Sequence, residues 1–393
     1  MISSRISSPS LKLRAVLCVI PAMIVCASLW WAPAKGSGIE SAPQVAGHRI
    51  IRVFSKSNSP IRGFPLGFDA GKLFQDRTGK FWVTPGVGTK SIVEVYDEHN
   101  QQWTTFGDAA GTTSNLLHYR EALLPHDVEH VGQSKDGRMW FADGSTNSYK
   151  RPLLTSFDGT QWQRFDFLEK STGYVRVGFR SDTEGTLWFW SGEELRNYDG
   201  ARWSPTYRIS EMFKEPVPRN AAADRETVRY EVFDAIQDRD KLWWFALVSG
   251  IVRYDKIRNV WKRFPQIEPN RQIYEDRSGR LWFADTDLVS VYDKSKDSVR
   301  SFRLSDHLTT EHCGYSLPTL RCMYQDKRGQ MLFGHGCGLI CYSETTSKWE
   351  LIHFNRIGLK DSDDESNAVN DIMEDRQGRI WISCSTAILV LEP

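Results

Sequence analysis

The stretch Ile273-Tyr-Glu-Asp276-Arg-Ser-Gly279-Arg-Leu-Trp282-Phe283 reads as two short strands folded back on a tight turn. An Asp at the first turn position can accept hydrogen bonds from turn amides, and a Gly three residues later supplies the left-handed residue that closes the hairpin. Apolar residues and a Trp follow at strand spacing. The block occurs seven times, beginning at Leu73, Val131, Phe179, Ala235, Ile273, Met323 and Ile372. Its recurring positions are Asp76, Gly79 and Trp82; Gly137 and Trp140; Gly185 and Trp188; Asp238 and Trp243; Asp276, Gly279 and Trp282; Asp326 and Gly329, with Leu332 in the Trp column; and Asp375, Gly378 and Trp381. A period of about 50 residues is the spacing of propeller blades.

Outward from each block, a third strand ends in Tyr-Asp or a relative, as at Tyr96-Asp97 and Tyr254-Asp255. A fourth follows, marked Trp-x-x-Phe at Trp103/Phe106, Trp162/Phe165 and Trp261/Phe264, and more weakly at Trp203. The pattern predicts an all-β chain, a seven-bladed β-propeller of four-stranded antiparallel blades. The seventh block runs out at Leu391 with no fourth strand, while Ile50 to Phe54 carries the fourth-strand pattern. That N-terminal segment is therefore expected to complete the last blade and close the ring, removing exposed sheet edges.

Composition agrees with a folded chain. Of 393 residues, 40% are hydrophobic and 25% charged, which excludes wholesale disorder and a multi-span membrane protein. Lys and Arg number 50 against 49 Asp and Glu, so no net field draws nucleic acid or an anionic membrane surface. The unusual count is 15 Trp, and the repeat assigns most of them to packing between blades.

Arg5, Lys12 and Arg14 precede an uncharged apolar run from Ala15 to Trp31, and Ala32-Pro33-Ala34 follows with small residues suited to a signal peptidase. Residues 1–34 are expected to be a signal peptide or an uncleaved N-terminal anchor through residues 15–31. Residues 35–47 are read as a linker and 48–393 as the propeller. The working domain is then exported, in the periplasm or cell envelope, meeting membrane only through its N-terminal segment.

The blocks, with their Tyr-Asp third strand and aromatic fourth strand, resemble the two-component regulator propeller repeat over residues 48–393. Such propellers are extracytoplasmic sensing parts of hybrid histidine kinases. The resemblance implies a sensing or binding role and a membrane sensor kinase as partner. No kinase core or receiver lies in these residues, so phosphotransfer by this chain is not expected.

The Asp-x-x-Gly and Tyr-Asp turns share one face of the ring, and all the long connections fall on the other. Long loops on one rim of a rigid scaffold are the usual seat of function. There the sequence places the candidate ligand-binding residues His126, Asp127, His130, Asp143, Tyr149, Lys150, Arg219, Arg225, His312 and His335. This mixed-charge rim with aromatics suits a carbohydrate or a protein ligand. A second reading stays open. Pro125-His126-Asp127-Val128-Glu129-His130 with Asp143 resembles one blade of the streptogramin lyases, propellers that use His and a carboxylate with a divalent metal, which would make His126 and His130 catalytic and draw in His335. Asp361, Asp363, Asp364 and Glu365 lack calcium-loop spacing and read as a solvated loop. No nucleotide loop, HExxH or nucleophile elbow occurs, and no cofactor is expected. The five cysteines beyond the signal allow at most two bridges; Cys313 with Cys337 is the favoured pair, and buried free thiols are the alternative.

Overall fold

The computed structural model describes residues 44–55, 70–85, 92–107, 128–143, 154–165, 176–213, 230–268, 270–308, 320–354, 368–385 and 387–393. Its unit of construction is the turn read from the sequence. In the block around Asp276, strands Gln272–Glu275 and Leu281–Ala284 flank a turn in which Gly279 has φ +83°. Asp276 Oδ1 accepts from Ser278 N, Ser278 Oγ and Arg280 N, while Oδ2 accepts from Arg280 Nε at 2.8 Å and Trp282 Nε1 at 2.9 Å. Burial alone would raise this carboxyl's pKa; the donors from Trp282, Ser278 and Arg280 outweigh it and hold the pKa below the ordinary value. The motif thus binds a buried carboxylate to its own turn and to the indole six residues on.

The same indole-to-turn bond joins Trp82 to Asp76, Trp188 to Asp182 and Trp381 to Asp375. Blade two substitutes Ser134, whose Oγ accepts from Trp140 Nε1 at 2.8 Å. Blade four corrects the sequence reading. The donor to Asp238 is Trp244 at 2.8 Å, not Trp243, and Lys241 with φ 62° takes the place of the turn glycine. Two adjacent tryptophans made the column ambiguous when counted from the aromatic; counted from the Asp it is not.

Each hairpin grows outward into a four-stranded antiparallel sheet. From the ring axis outward, blade one is Ala70–Gln75, Phe81–Pro85, Ile92–Asp97 and Gln102–Gly107. Blade two is Val128–Gln133, Met139–Asp143, Leu154–Phe157 and Trp162–Phe165. Blade three is Val177–Ser181, Leu187–Ser191, Glu194–Tyr198 and Tyr207–Arg208. Blade four is Val232–Gln237, Trp243–Leu247, Gly250–Asp255 and Val260–Phe264. Blade five adds Leu288–Asp293 and Ser298–Arg303 to the hairpin already given. Blade six is Cys322–Gln325, Met331–His335, Gly338–Ser343 and Lys348–Ile352.

Blade seven takes Val369–Glu374, Ile380–Cys384 and Ala387–Leu391 from the C-terminal end and His48–Ser55 from the N-terminal one. Ile50 pairs with Leu391 and Phe54 with Ile388, which is the expected closure. The sheet goes one strand further than expected: Gln44–Val45, inside the segment read as linker, folds back on His48 and Arg49. In blade three the fourth strand lies beyond Trp203, which makes only an isolated bridge to Tyr198. Pro205 has no N–H to continue that ladder, and Ser204 Oγ instead accepts from Asn197 N at 2.9 Å.

The innermost strands touch in succession, the seventh meeting the first. Between blades the buried rings do the packing. Trp82 of blade one lies among Phe141 and Phe157 of blade two, and Trp140 of blade two among Phe189, Tyr198 and Trp203 of blade three. On the turn face, at five of the seven seams the Gln or Glu preceding the turn residue accepts from the turn amide of the blade before. Arg77 N donates to Gln133, Thr183 N to Gln237, Arg239 N to Glu275, Arg277 N to Gln325 and Arg376 N to Gln75. The polar groups of that face are largely committed to holding neighbouring blades together.

Candidate functional site at the ring axis

Counting back four residues from each turn position selects one level of the innermost strands: Lys72, His130, Gly178, Asp234, Gln272, Cys322 and Asp371. In blades one, two, four and seven the first strand slips register against the second at this level, between Ala70 and Leu73, Val128 and His130, Val232 and Asp234, and Val369 and Asp371. Those are the blades that carry Lys72, His130, Asp234 and Asp371. Blades three, five and six run without a slip there. A bulge re-aims a side chain at the cost of local pairing, and such features gather at functional sites.

The four groups and their neighbours converge. Asp371 Oδ2 accepts from Leu73 N of the next blade at 2.9 Å, and Lys72 Nζ lies 3.8 Å from Asp371 Oδ1 while donating to the carbonyls of Arg321 and Asn370 at 3.3 Å. Asp234 repeats the pattern, taking Ile273 N of the following blade on Oδ2 at 3.1 Å and half-exposed Arg180 Nε on Oδ1 at 3.3 Å. The Arg180 guanidinium also feels Asp371 across the ring, and the Asp234 carboxylate is the first cause of its raised pKa. The His130 imidazole stands edge-on to Trp190 at 5.4 Å. Burial, then the charges of Arg180, Lys72 and Arg176, push its pKa well below the ordinary value. Burial and the three cations thus all favour the neutral imidazole.

One step nearer the long-loop face, the Arg176 and Arg271 guanidiniums lie over the Phe233 ring at 5.3 and 5.6 Å, joining blades three, four and five. Glu129 approaches Arg176 at 3.9 Å and Asp285 approaches Arg271 at 3.4 Å. Burial raises the pKa of Glu231, with Arg176 opposing. The site therefore combines guanidinium, carboxylate, amide and aromatic groups, able to donate and accept hydrogen bonds around a flat apolar surface.

Of the sequence candidates, His130 belongs to this level. His335 ends the second strand of blade six, is buried, and accepts from Cys337 N on Nδ1 at 3.2 Å. Asp143 ends the second strand of blade two. His126, Asp127, Tyr149, Lys150, Arg219, Arg225, His312 and Cys313 lie outside the described residues. Cys337 is disulfide-bonded, whereas Cys322, Cys341 and Cys384 are free and buried. Among the described residues no three His, Cys, Asp or Glu side chains stand close enough to share a metal ion. The three cations about His130 also disfavour a divalent ion there. Sequence reasoning missed Lys72, Arg176, Arg180, Asp234, Phe233, Arg271 and Asp371; for Lys72, Asp234 and Asp371 the available signal was a charged residue four before the turn Asp, at the innermost strand of an otherwise apolar repeat.

Comparison with known proteins places this geometry in context. The model of the two component regulator propeller matches residues 364–386, a range that holds the first two strands of blade seven and the turn between them. The fold is similar to the extracellular domain of BT4673 of B. thetaiotaomicron, described as a one component or hybrid two component system, with TM-score 0.54 and 15% identity over 83% of this chain and 38% of that one. The chain thus spans well under half the length of that domain. It is also similar to virginiamycin B lyase of Staphylococcus aureus, solved with quinupristin, at TM-score 0.56 and 12% identity over 87% of this chain and 98% of the lyase. YCF48 bound to D1 peptide gives TM-score 0.52 and 11% identity over 90% and 98%. At such identities the likeness is one of fold. No curated protein matches the chain. Among the described residues no helix is long and apolar enough to cross a membrane.

Proposed function

We propose that this chain, a propeller built on the two-component regulator repeat, is an exported sensor module. It binds a carbohydrate at the long-loop end of its ring axis and acts through a partner, a membrane sensor kinase being the kind its repeat suggests. The observation that carries the reading is the set of four bulges bringing Lys72, His130, Asp234 and Asp371 to one level, beneath the Arg176–Phe233–Arg271 stack. A carbohydrate offers hydroxyls that both donate and accept, and flat C–H faces suited to an aromatic ring. A mixed-charge lining matches it better than it matches a polyanion or a metal ion. The turn face is spent on contacts between blades, which leaves the opposite face for ligand.

Calorimetry against a panel of oligosaccharides and cell-wall fragments tests this. A binding sugar should lose at least tenfold in affinity with Phe233→Ala or Arg176→Ala while the melting temperature of the free protein is kept. A panel in which no saccharide binds, or in which a bound one ignores both substitutions, overturns the reading.

A further inference from the structure

A repeat protein carries its own control, because each blade shows what its neighbours need only for folding. The outer hairpins, third strand through fourth, are compared in this way. Blade four's, Gly250–Phe264, carries the cations Arg253, Lys256, Arg258, Lys262 and Arg263 against the single carboxylate Asp255. The corresponding segment of blade one, Ile92–Gly107, holds Glu94, Asp97 and Glu98 and no Lys or Arg, and in blade six Lys348 is outnumbered by Glu344 and Glu350. Blade five is also rich in cations, but Lys294, Lys296, Arg300 and Arg303 each lie against a carboxylate. Lys256 and Lys262 have no carboxylate partner among the described residues; they lie over the rings of Trp188 at 5.1 Å and Phe264 at 4.7 Å. The chain's overall neutrality hides this concentration.

The same hairpin is apolar at its tip. Ile257 is 87% exposed and Val260 51%, and with Ile51 and Tyr207 they are the exposed large hydrophobics among the described residues. Tyr207, on the outer strand of blade three, neighbours Tyr254 of this hairpin. Elsewhere the outer turns carry polar or small residues at their tips: His99 and Asn100, Gly159 and Thr160, Gly200 and Ala201, Ser295 and Lys296, Thr345 and Thr346. The turn itself is closed through the backbone, Asp255 Oδ1 accepting from Ile257 N and Arg258 N at 3.0 Å, and the exposed Ile257 side chain takes no part in it.

We propose that the outer hairpin of blade four is a contact site for an anionic lipid surface, with Ile257 and Val260 entering the interface and Lys256 and Lys262 meeting the headgroups, while Arg258 is held by Asp255 at 2.7 Å. The shape favours a bilayer over a folded partner: a protruding turn can bury Ile257 in a protein only where a matching pocket exists, whereas a bilayer yields around it. Lysines lying along rings can extend to headgroups while their stems stay on apolar surface, and each such charge adds to the attraction of an anionic leaflet.

The test uses the full chain and reads the hairpin itself, so that the apolar run at residues 15–31 does not decide the outcome. A nitroxide is placed on Ile257→Cys, and in a parallel protein on Thr346→Cys in the outer turn of blade six. Vesicles containing phosphatidylglycerol should immobilise the label at 257 and leave the one at 346 unchanged. Vesicles of phosphatidylcholine alone should do neither. Lys256→Glu with Lys262→Glu should weaken the 257 signal at least tenfold in lipid concentration, and raising the salt should weaken it in the same direction. Equal signals at the two sites, equal response to neutral vesicles, or indifference to the two glutamates would each overturn the proposal.

Discussion

His48 Nε2 lies 2.9 Å from Asp326 Oδ2, joining the N-terminal strand of blade seven to the turn of blade six with both side chains buried. Blade six has Leu332 where the other blades have a tryptophan beside the turn, so its carboxylate lacks the usual indole donor. The closing strand supplies one, while its other ring nitrogen faces the Glu392 carbonyl at 3.0 Å. Removing it with His48→Ala leaves a buried carboxylate short of a donor and should cost about 3 kcal/mol in urea unfolding. Leu332→Trp placed in that background should recover part of the loss by restoring the indole. If His48→Ala is silent, the seam is held by strand pairing alone.

Acid should release the same seam. Burial acts to raise the Asp326 pKa, but the bonds from His48, Gln330 N and Arg328 N prevail and hold it below the ordinary value. A depressed folded-state pKa contributes stability that is complete above the unfolded value of about 3.9 and is lost as pH falls through the folded one. The difference in unfolding free energy between the wild type and Asp326→Asn should therefore be constant near neutrality and shrink below about pH 4. A difference that grows on acidification would contradict the bonding described.

The corrected column in blade four is open to direct measurement. Trp244 Nε1 donates to the buried Asp238 carboxylate, whereas Trp243 Nε1 is buried with no hydrogen-bond partner among the described residues. Trp244→Phe should cost more than Trp243→Phe by about 1.5–3 kcal/mol, the range for a hydrogen bond to a charged group. Equal costs would return the column to Trp243.

These cases show why the fold was legible and the site was not. The turn chemistry is local: an Asp, a Gly and a Trp within seven residues make the same bonds in successive blades, and periodicity amplifies the signal. Even the departures at Ser134 and Leu332 keep the pattern around them. The axial level is the opposite case. Lys72 and Asp371 meet only because the ring closes, and the bulges that aim Lys72, His130, Asp234 and Asp371 are shifts of register that no residue type announces. The four positions share only polarity and an offset from the turn, too weak a mark to stand as a motif. His130 was found for its neighbours in sequence, and its cationic surroundings from blades one and three came only with the fold.

Packing beside that level gives another test. Gly178 of blade three pairs across the hairpin with Trp190, and a Cβ at Gly178 would press into the indole. The position paired like Trp190 holds a small residue in the other blades, as with Ala142, Ala246 and Gly334. Gly178→Ala should therefore destabilise by about 1–3 kcal/mol through overpacking. Trp190→Phe in the same chain should relieve it, and a chain that melts unchanged with alanine at 178 would mean the indole moves aside freely.

The cysteines separate by reactivity. Burial pushes the Cys322 thiol up to about 12, and drives Cys341 and Cys384 higher in the same direction. Alkylation requires thiolate, so at pH 8 these three are protected twice, by burial and by protonation. Cys337 is protected by its disulfide instead. Native protein treated with iodoacetamide at pH 8 should leave all four unmodified by peptide mapping. Mild reduction should expose Cys337 to the reagent before the other three, because it sits in the connection between the second and third strands of blade six while they lie within the core shared by blades six and seven. Mapping of the unreduced protein also tests the pairing with Cys313 directly. Labelling of Cys322 at a rate near that of a free thiol would mean that this core opens without unfolding.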